Sequence, residues 1–372
     1  MSWRGSGQGS KIIKMKKILF LFNGGTIGQI LKKVHGQEAL VPPKNGNDFK
    51  KACAPILKKF SPLHIDFEVI TIKDSTNMNP DDWQKLIYRI IAAQDEGYDA
   101  VGVAHGTDTM SYTACALAFA LHGSTPGKSG LKIPVCLTGA QNSIFHTGGD
   151  ARFNLENLFR VLIRAIDLGV ADILVNFWHK ILLGCRCLKV SEKKFDAFAS
   201  PALEDVGYID GSGIVIETKF LKLRKNASSK LNPAANFSGG VVGFELAPGI
   251  DPKTILGFLE SKKIDAMIFK SLGEGNVPCD GKFSLLPVIK TALKKFQIPT
   301  FVTTKFIGGY ARSSSYETGV KAIASGAIPC FDHTDIAVDV KVKWLLGNKI
   351  CQTIADFKEA MKTSFAGEVS VL

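Results

Sequence analysis

VGVAHGTDTMSYTA, residues Val101–Ala114, decides the fold. An apolar run, Val101 to Ala104, stops at His105-Gly106. Hydroxyls and a carboxylate then spill into a turn at Thr107, Asp108 and Thr109. From Met110 the apolar residues recur at helical spacing. Strand, polar turn and helix in succession make the repeating unit of open α/β sheets, whose chemistry collects beyond the carboxyl ends of the strands. Neither a threonine nor an aspartate is a strong nucleophile alone, so another group must activate this pair.

The same unit recurs. KKILFLF (16–22) ends at Asn23-Gly24-Gly25-Thr26-Ile27-Gly28. FEVITI (67–72) ends at Lys73-Asp74-Ser75-Thr76-Asn77, and IPVCL (133–137) ends at Thr138-Gly139-Ala140-Gln141. Near-continuous apolar strands alternating with helices predict a mostly parallel sheet covered on both faces. In such a sheet these four turns share one edge and converge on one small ligand. Asn79-Pro80-Asp81-Asp82 predicts a helix start: an N-cap residue, a proline at the first helical position and acids at the positive end of the dipole. Around residues 218–239 the pattern breaks into a basic, Asn/Ser/Ala/Gly-rich linker, and a second, smaller α/β pattern follows. The expected division is a flexible extension over 1–15, an N-terminal catalytic domain over 16–217, a linker over 218–239 and a C-terminal α/β domain over 240–372. The fold class is α/β, with a larger N-terminal doubly wound, mostly parallel sheet domain and a smaller C-terminal α/β domain.

Bulk properties narrow the function. The chain has 372 residues and a formal net charge of +12. Its lysine pairs (Lys32-Lys33, Lys50-Lys51, Lys58-Lys59, Lys193-Lys194, Lys262-Lys263) are scattered and not interleaved with aromatics. This predicts a solvated basic surface and no nucleic-acid partner. No apolar run approaches the roughly 18–20 residues of a membrane span. The apolar run after Lys16-Lys17 is short of the ~7–15 residues of a signal-peptide core and reads as a buried strand. Eight cysteines spread along the chain, several inside apolar strands, predict buried thiols in a reducing cytoplasm. Cys185-Arg186-Cys187 lacks the second ligand pair of a zinc site, so no metal is expected. NGGTIG lacks the spacing of a dinucleotide fingerprint, so no nucleotide cofactor is expected either. A lysine whose pKa is depressed by desolvation can serve a threonine as base. Lys189, in LKVSEKKFDAFASP, follows a strand and is a candidate, unlike the exposed Lys193 and Lys194. His105 is expected to pack beneath its turn. Asn154 either braces the site or satisfies nearby backbone.

NGGTIG, DSTNM, HGTDTM, LTGAQ and LKVSEKKFDAFASP, in this order and at these spacings, resemble the L-asparaginase family, in particular its bacterial cytoplasmic type I enzymes. The resemblance continues through PGIDP, IFKSLGEGNVP and GGYARSSSYETG and covers nearly the whole chain from about Lys16. It implies cofactor-free hydrolysis of the side-chain amide of L-asparagine to L-aspartate and ammonia. It implies Thr26 as the first nucleophile at the start of a flexible lid, and a triad of Thr107, Asp108 and Lys189. Asp108 would also hold the substrate's amino group. Ser75 and Thr76 would grip its carboxylate, with Gly25, Asp74, Gly106 and Ala140 completing the substrate site and backbone N–H groups beside Thr107 and Ala140 forming an oxyanion hole. It further implies a homodimer, paired into tetramers in type I relatives, with each site near the partner's C-terminal domain, where Tyr310 and Glu317 could reach it.

The chain departs from the family pattern at Asn23, where the family has threonine. It departs again at Ala39-Leu40, where family lids carry a tyrosine, and at Ile336, which falls opposite an expected acid. Three rival readings stay open: a glutamine-preferring amidohydrolase, a tRNA-dependent amidotransferase subunit, and a non-catalytic amino-acid-binding homologue.

Overall fold

The computed structural model describes residues 15–125, 129–227, 230–261 and 263–370. All but the last residue of the expected N-terminal extension therefore lies outside the described residues. Strand β1 (Lys17–Asn23) leads through a 3-10 turn into a hairpin, β2 (Ile30–Val34) and β3 (Gln37–Val41). Helix α1 (Asn47–Lys58), β4 (His64–Thr71), α2 (Pro80–Asp95), β5 (Ala100–His105), α3 (Met110–His122), β6 (Val135–Thr138), α4 (Ala151–Asp167) and β7 (Ile173–Phe177) continue the alternation. Short strands close this unit: β8 (Lys180–Leu183), β9 (Leu188–Lys189), β10 (Phe198–Ala199), β11 (Gly207–Asp210) and β12 (Gly213–Ile216).

The main sheet runs β12-β11-β8-β7-β6-β5-β1-β4. Pairing is parallel from β4 through β1, β5 and β6 to β7, and antiparallel beyond β7. The antiparallel strands β8, β11 and β12 are absent from the apolar-run reading, because each is only four residues long. β1 lies between β4 and β5, so the direction of winding reverses at β1. A crevice must open there, outside the carboxyl ends of β1 and β5, and it is where doubly wound sheets bind ligands.

The sheet is covered as its sequence requires. β5 and β7 are buried along their whole length, the signature of a strand packed on both faces. On one face Phe20 meets Phe49 of α1 and Phe159 of α4. On the other, Trp83 of α2 donates its indole N–H to Thr113 of α3 at 3.2 Å. Helix α2 starts where expected: Asn79 caps it, Asp82 closes the capping box, and Pro80 is its first residue.

The second unit holds β13 (Val241–Glu245), α5 (Pro252–Glu260), β14 (Ala266–Ser271), α6 (Leu286–Thr291), β15 (Thr300–Thr304), α7 (Glu317–Ala324), β16 (Ile328–Pro329), α8 (Asp335–Gly347) and α9 (Ile354–Lys362). Its four strands are parallel, in the order β13-β14-β15-β16. Helix α8 packs on α3 of the first unit. This is why twelve of the thirteen α3 residues are buried: the helix lies between a sheet and another helix and shows no polar face. Residues 234–237 of the linker are held down rather than loose. Trp344 donates to the Ala234 carbonyl at 2.9 Å, and Phe237 packs edge-on against Trp83.

The C-terminal tail locks the two units together. Arg186 donates to the carbonyls of Gly367 and Asp332 and to the Asp332 carboxylate. Lys341 of α8 and Glu368 form an ion pair at 2.6 Å with both side chains fully buried. Glu368 also accepts from the N–H groups of Phe365 and Ala366. Burial works against its charge, but Lys341 and these donors hold its pKa down at about 2. Breaking one side of such a pair strands a buried charge. Lys341→Met is expected to lower the unfolding free energy by about 3–5 kcal/mol, read as a shift in the urea midpoint at constant slope; a change within error would show that the tail is not a lock.

Candidate functional site

The four polar turns meet because glycines remove the side chains that would hold them apart. Gly25, at φ +88°, approaches so closely that a Cβ on it would sit 2.1 Å from the Cα of Gly106. A Cβ on Gly24 would sit 2.3 Å from the Lys73 carbonyl oxygen, and one on Gly106 would sit 2.5 Å from Ser75 Oγ. Gly139 is as tightly placed against the His105 carbonyl oxygen, at 2.6 Å. Hydrogen bonds stitch the contacts. Gly25 N–H donates to the Lys73 carbonyl at 3.1 Å, and Thr109 Oγ1 to the Ser75 carbonyl at 2.8 Å. Asn154 Nδ2 donates to the Gly139 carbonyl at 2.9 Å, while its Oδ1 accepts from Trp178 N–H. Asn154 thus braces the fourth turn and satisfies backbone at once. The expected convergence of Gly25, Thr26, Asp74, Ser75, Thr76, Gly106, Thr107 and Ala140 along one sheet edge is what the backbone shows.

Lys189 is brought in from across the sheet. The chain leaves β8, makes a 3-10 turn at Gly184–Arg186, and pairs Lys189 in β9 with Phe198 in β10. Gln141, in the turn after β6, donates to the carbonyls of Ser191 and Lys194 and ties this loop to the site. Lys189 Nζ lies 2.8 Å from Thr107 Oγ1 and 2.6 Å from Asp108 Oδ1. Thr107 is buried and the Lys189 side chain is 18% exposed, but that of Asp108 is 59% exposed. One face of the carboxylate is therefore open to a ligand while the other holds the lysine. Thr26 heads a 3-10 turn, half-buried, with Gly25 as its cap.

The second turn is capped from within. Asp74 Oδ1 accepts from Thr76 N–H at 2.9 Å, and Asp74 Oδ2 accepts from Gln29 Nε2 at 2.9 Å. Burial works against the Asp74 charge, but the Thr76 and Gln29 donors outweigh it and hold its pKa below the usual carboxylate range. Both carboxylate oxygens are thus engaged inside the protein. Lys73 Nζ anchors the start of the turn on buried Asp82 at 2.6 Å.

The hairpin β2–β3 follows directly and is largely exposed. In its register Leu31 faces Leu40 and Lys32 faces Ala39. Its base is rooted by Ile144 N–H donating to the Ile27 carbonyl and Ser143 Oγ to the Gln29 carbonyl. Ile336, at the start of α8, shares a hollow with Asp108, Tyr112, Lys189, Val190 and Ser191. An apolar side chain of the second unit therefore stands beside the Lys189–Asp108 pair. Tyr310 packs edge-on against Phe331, and Glu317 pairs with Lys321 on the surface.

Gln29 and Tyr112 are the residues that sequence reasoning missed. Tyr112 stands one helical turn after Asp108, a spacing that could have flagged it. Gln29 carries no local signal, since its partner lies 45 residues away.

His105 is fully buried. Its Nδ1 lies 2.8 Å from the Gly106 carbonyl and its Nε2 2.9 Å from Thr113 Oγ1. The carbonyl can only accept, so Nδ1 carries the proton and Nε2 accepts from Thr113, which in turn accepts from Trp83. The thiols of Cys185 and Cys187 are buried, and burial pushes both up in pKa.

The comparisons with known proteins bear on the family and the fold. The family profile described as Asparaginase, N-terminal matches residues 17–222, and that described as Glutaminase/Asparaginase C-terminal domain matches residues 241–361. The chain belongs to the asparaginase family. It is 29% identical to the L-asparaginase of Thermococcus kodakarensis, over 95% of this chain and 99% of that protein; the structure of that thermostable enzyme superposes with a TM-score of 0.80. The crystal structure of L-asparaginase I from Vibrio cholerae superposes with a TM-score of 0.80 at 27% identity, covering 96% of this chain and 99% of that one. A glutamyl-tRNA(Gln) amidotransferase subunit of Pyrococcus abyssi is 28% identical over 96% of this chain and 77% of its own length.

Burial depresses the His105 pKa to about 4, against the opposing pull of the Gly106 carbonyl and Asp82. Below about pH 6.5 the unfolded chain takes up a proton that the folded one refuses, so acid favours unfolding. By about pH 5 this single group is expected to cost on the order of 2 kcal/mol. His105→Gln should shrink the fall in urea midpoint between pH 7 and pH 5. It should not abolish the fall, because His333 is depressed to about 3 by burial and by Lys341 and acts with the same sign.

Proposed function

We propose that this protein hydrolyses the side-chain amide of L-asparagine to L-aspartate and ammonia, with Thr26 as nucleophile and Thr107, Lys189 and Asp108 as the proton-handling set. The observation that carries the reading is the Lys189 Nζ contact with both Thr107 Oγ1 and Asp108 Oδ1 at the switch point of a doubly wound sheet. A threonine hydroxyl attacks only when a base takes its proton. A lysine fixed between a hydroxyl and a carboxylate is aimed for that transfer, because the carboxylate fixes the direction of Nζ.

The steps follow from the placement. The substrate's α-carboxylate lies against Ser75 and Thr76 and its ammonium against the open face of Asp108. The Thr26 oxygen attacks the amide carbon, and the developing oxyanion is met by N–H groups beside Thr107 and Ala140. The C–N bond breaks and the amide nitrogen leaves as ammonia, having taken the proton that the Thr26 hydroxyl gave up. Water, activated by Thr107 with Lys189 as base, then cleaves the acyl-enzyme ester and frees Thr26. Asp74 serves this site by shaping the Ser75–Thr76 turn. Ala39 and Leu40 in the hairpin and Ile336 beside Asp108 stand where the family pattern has a phenol and an acid, so the activation of Thr26 rests on fewer groups. No cofactor or metal takes part. The working form is a cytoplasmic homodimer, able to pair into a dimer of dimers, and nucleic acid and membrane are not its partners.

A second reading, ammonia release in the service of a larger amidating complex, is favoured by the likeness to the amidotransferase subunit. Ammonia release from L-asparagine and, separately, L-glutamine separates these readings. One methylene is worth only about 1–3 kcal/mol in a pocket, so both amides must be assayed. Release from asparagine is expected. Thr107→Val or Lys189→Met should lower it by at least about a hundredfold, as expected for loss of general-base catalysis. Thr26→Ala should abolish it. Release that survives Thr26→Ala would assign the nucleophile wrongly. Aspartate binding without turnover of either amide would identify a non-catalytic homologue.

A further inference from the structure

We propose that Gln29 is a positioning residue that couples the nucleophile's turn to the turn that grips the substrate's α-carboxylate. The inference rests on the hydrolase reading above and adds a residue to it. Gln29 closes the 3-10 turn headed by Thr26, its own N–H donating to the Thr26 carbonyl at 3.1 Å. The residue is only 3% exposed, an unusual place for an amide unless each polar atom has work. Nε2 donates to Asp74 Oδ2 at 2.9 Å, and the Gln29 carbonyl accepts from Ser143 Oγ at 2.5 Å. Through Asp74, whose other oxygen accepts from Thr76 N–H, the Gln29 amide reaches the Ser75–Thr76 turn. The Thr26 turn, the carboxylate-gripping turn and the turn after β6 are therefore joined through one side chain and its backbone.

Two kinds of anchor hold the gripping turn. Lys73–Asp82 fastens it from below to α2. The Gln29–Asp74 bond fastens it sideways to the nucleophile's turn. The backbone bond from Gly25 N–H to the Lys73 carbonyl also ties the two turns and is indifferent to pH; the Gln29–Asp74 bond is the side-chain tie, and it depends on the ionisation of Asp74. Protonated Asp74 is a poorer acceptor for Thr76 N–H, so acid should loosen the grip. Removing the Gln29 donor makes Asp74 easier to protonate and brings that loosening to higher pH.

The test measures kcat and KM for L-asparagine across pH in the wild type, Gln29→Leu and Gln29→Glu, together with L-aspartate affinity by calorimetry. Loss of a hydrogen bond to a charged group predicts a KM about tenfold higher in Gln29→Leu. The acid limb of its kcat/KM should move to higher pH. Gln29→Glu keeps the size and places a second carboxylate against Asp74. The two share a proton in acid and repel when both ionise. Its kcat/KM should therefore approach the wild type at low pH and fall away as pH rises, the opposite trend to Gln29→Leu. Opposite trends would establish the coupling. Both variants matching the wild type, or both falling by the same factor at every pH, would overturn it. If Gln29→Leu does not fold, the Gln29→Glu profile decides alone. If the wild type turns over no asparagine, the hydrolase reading fails by itself. The same trends sought in aspartate affinity then decide on Gln29, and unchanged affinity would overturn the proposal.

Discussion

Close backbone approach at the switch point is the constraint on which the rest of the structure depends. Gly25 and Gly106 lie within a distance that no side chain would permit, and Gly24 and Gly139 are placed as tightly against their neighbours. Four strands deliver four turns, but only the missing Cβ atoms let these turns share hydrogen bonds. That shared edge brings the turns that carry Thr26, Ser75, Thr76 and Thr107 together. A buried, neutral His105 supports it from below, through a chain of donors and acceptors that reaches Trp83 on α2.

Lys189 brings an amine to this polar edge, against Thr107 and Asp108. It arrives on a short strand outside the parallel layer, and its position is secured from two directions. Gln141 binds the loop beyond it, and the C-terminal tail, through Arg186 and Cys185, binds the turn before it. The tail's buried Lys341–Glu368 pair is therefore part of the scaffold of the site, although it is remote in sequence. Relatives at similar identity bear different names, an L-asparaginase and an amidotransferase subunit among them.

The alternation of buried strands and helices was legible because both faces of the parallel layer are covered, which leaves long apolar runs such as ILFLF and AVGVA. The capped start of α2 was legible because Asn79, Pro80 and Asp82 each answer a local need of a helix end. The antiparallel strands β8, β11 and β12 were not, since four-residue strands carry too little pattern. Helix α3 was legible, but its burial on all sides was not, since its cause is α8 of the second unit.

The chain's own sequence determined which turns are polar, where glycines permit close contact, and which hydroxyls and carboxylate stand at the strand ends. These are local properties of backbone sterics and side-chain chemistry. The sequence singled out Lys189, but only the tertiary structure brought its Nζ to Thr107 and Asp108, Gln29 to Asp74, and Ile336 beside the pair. Each of these contacts joins residues at least 45 positions apart. Such pairings are set by sheet order and by the packing of two units, and no local pattern encodes them.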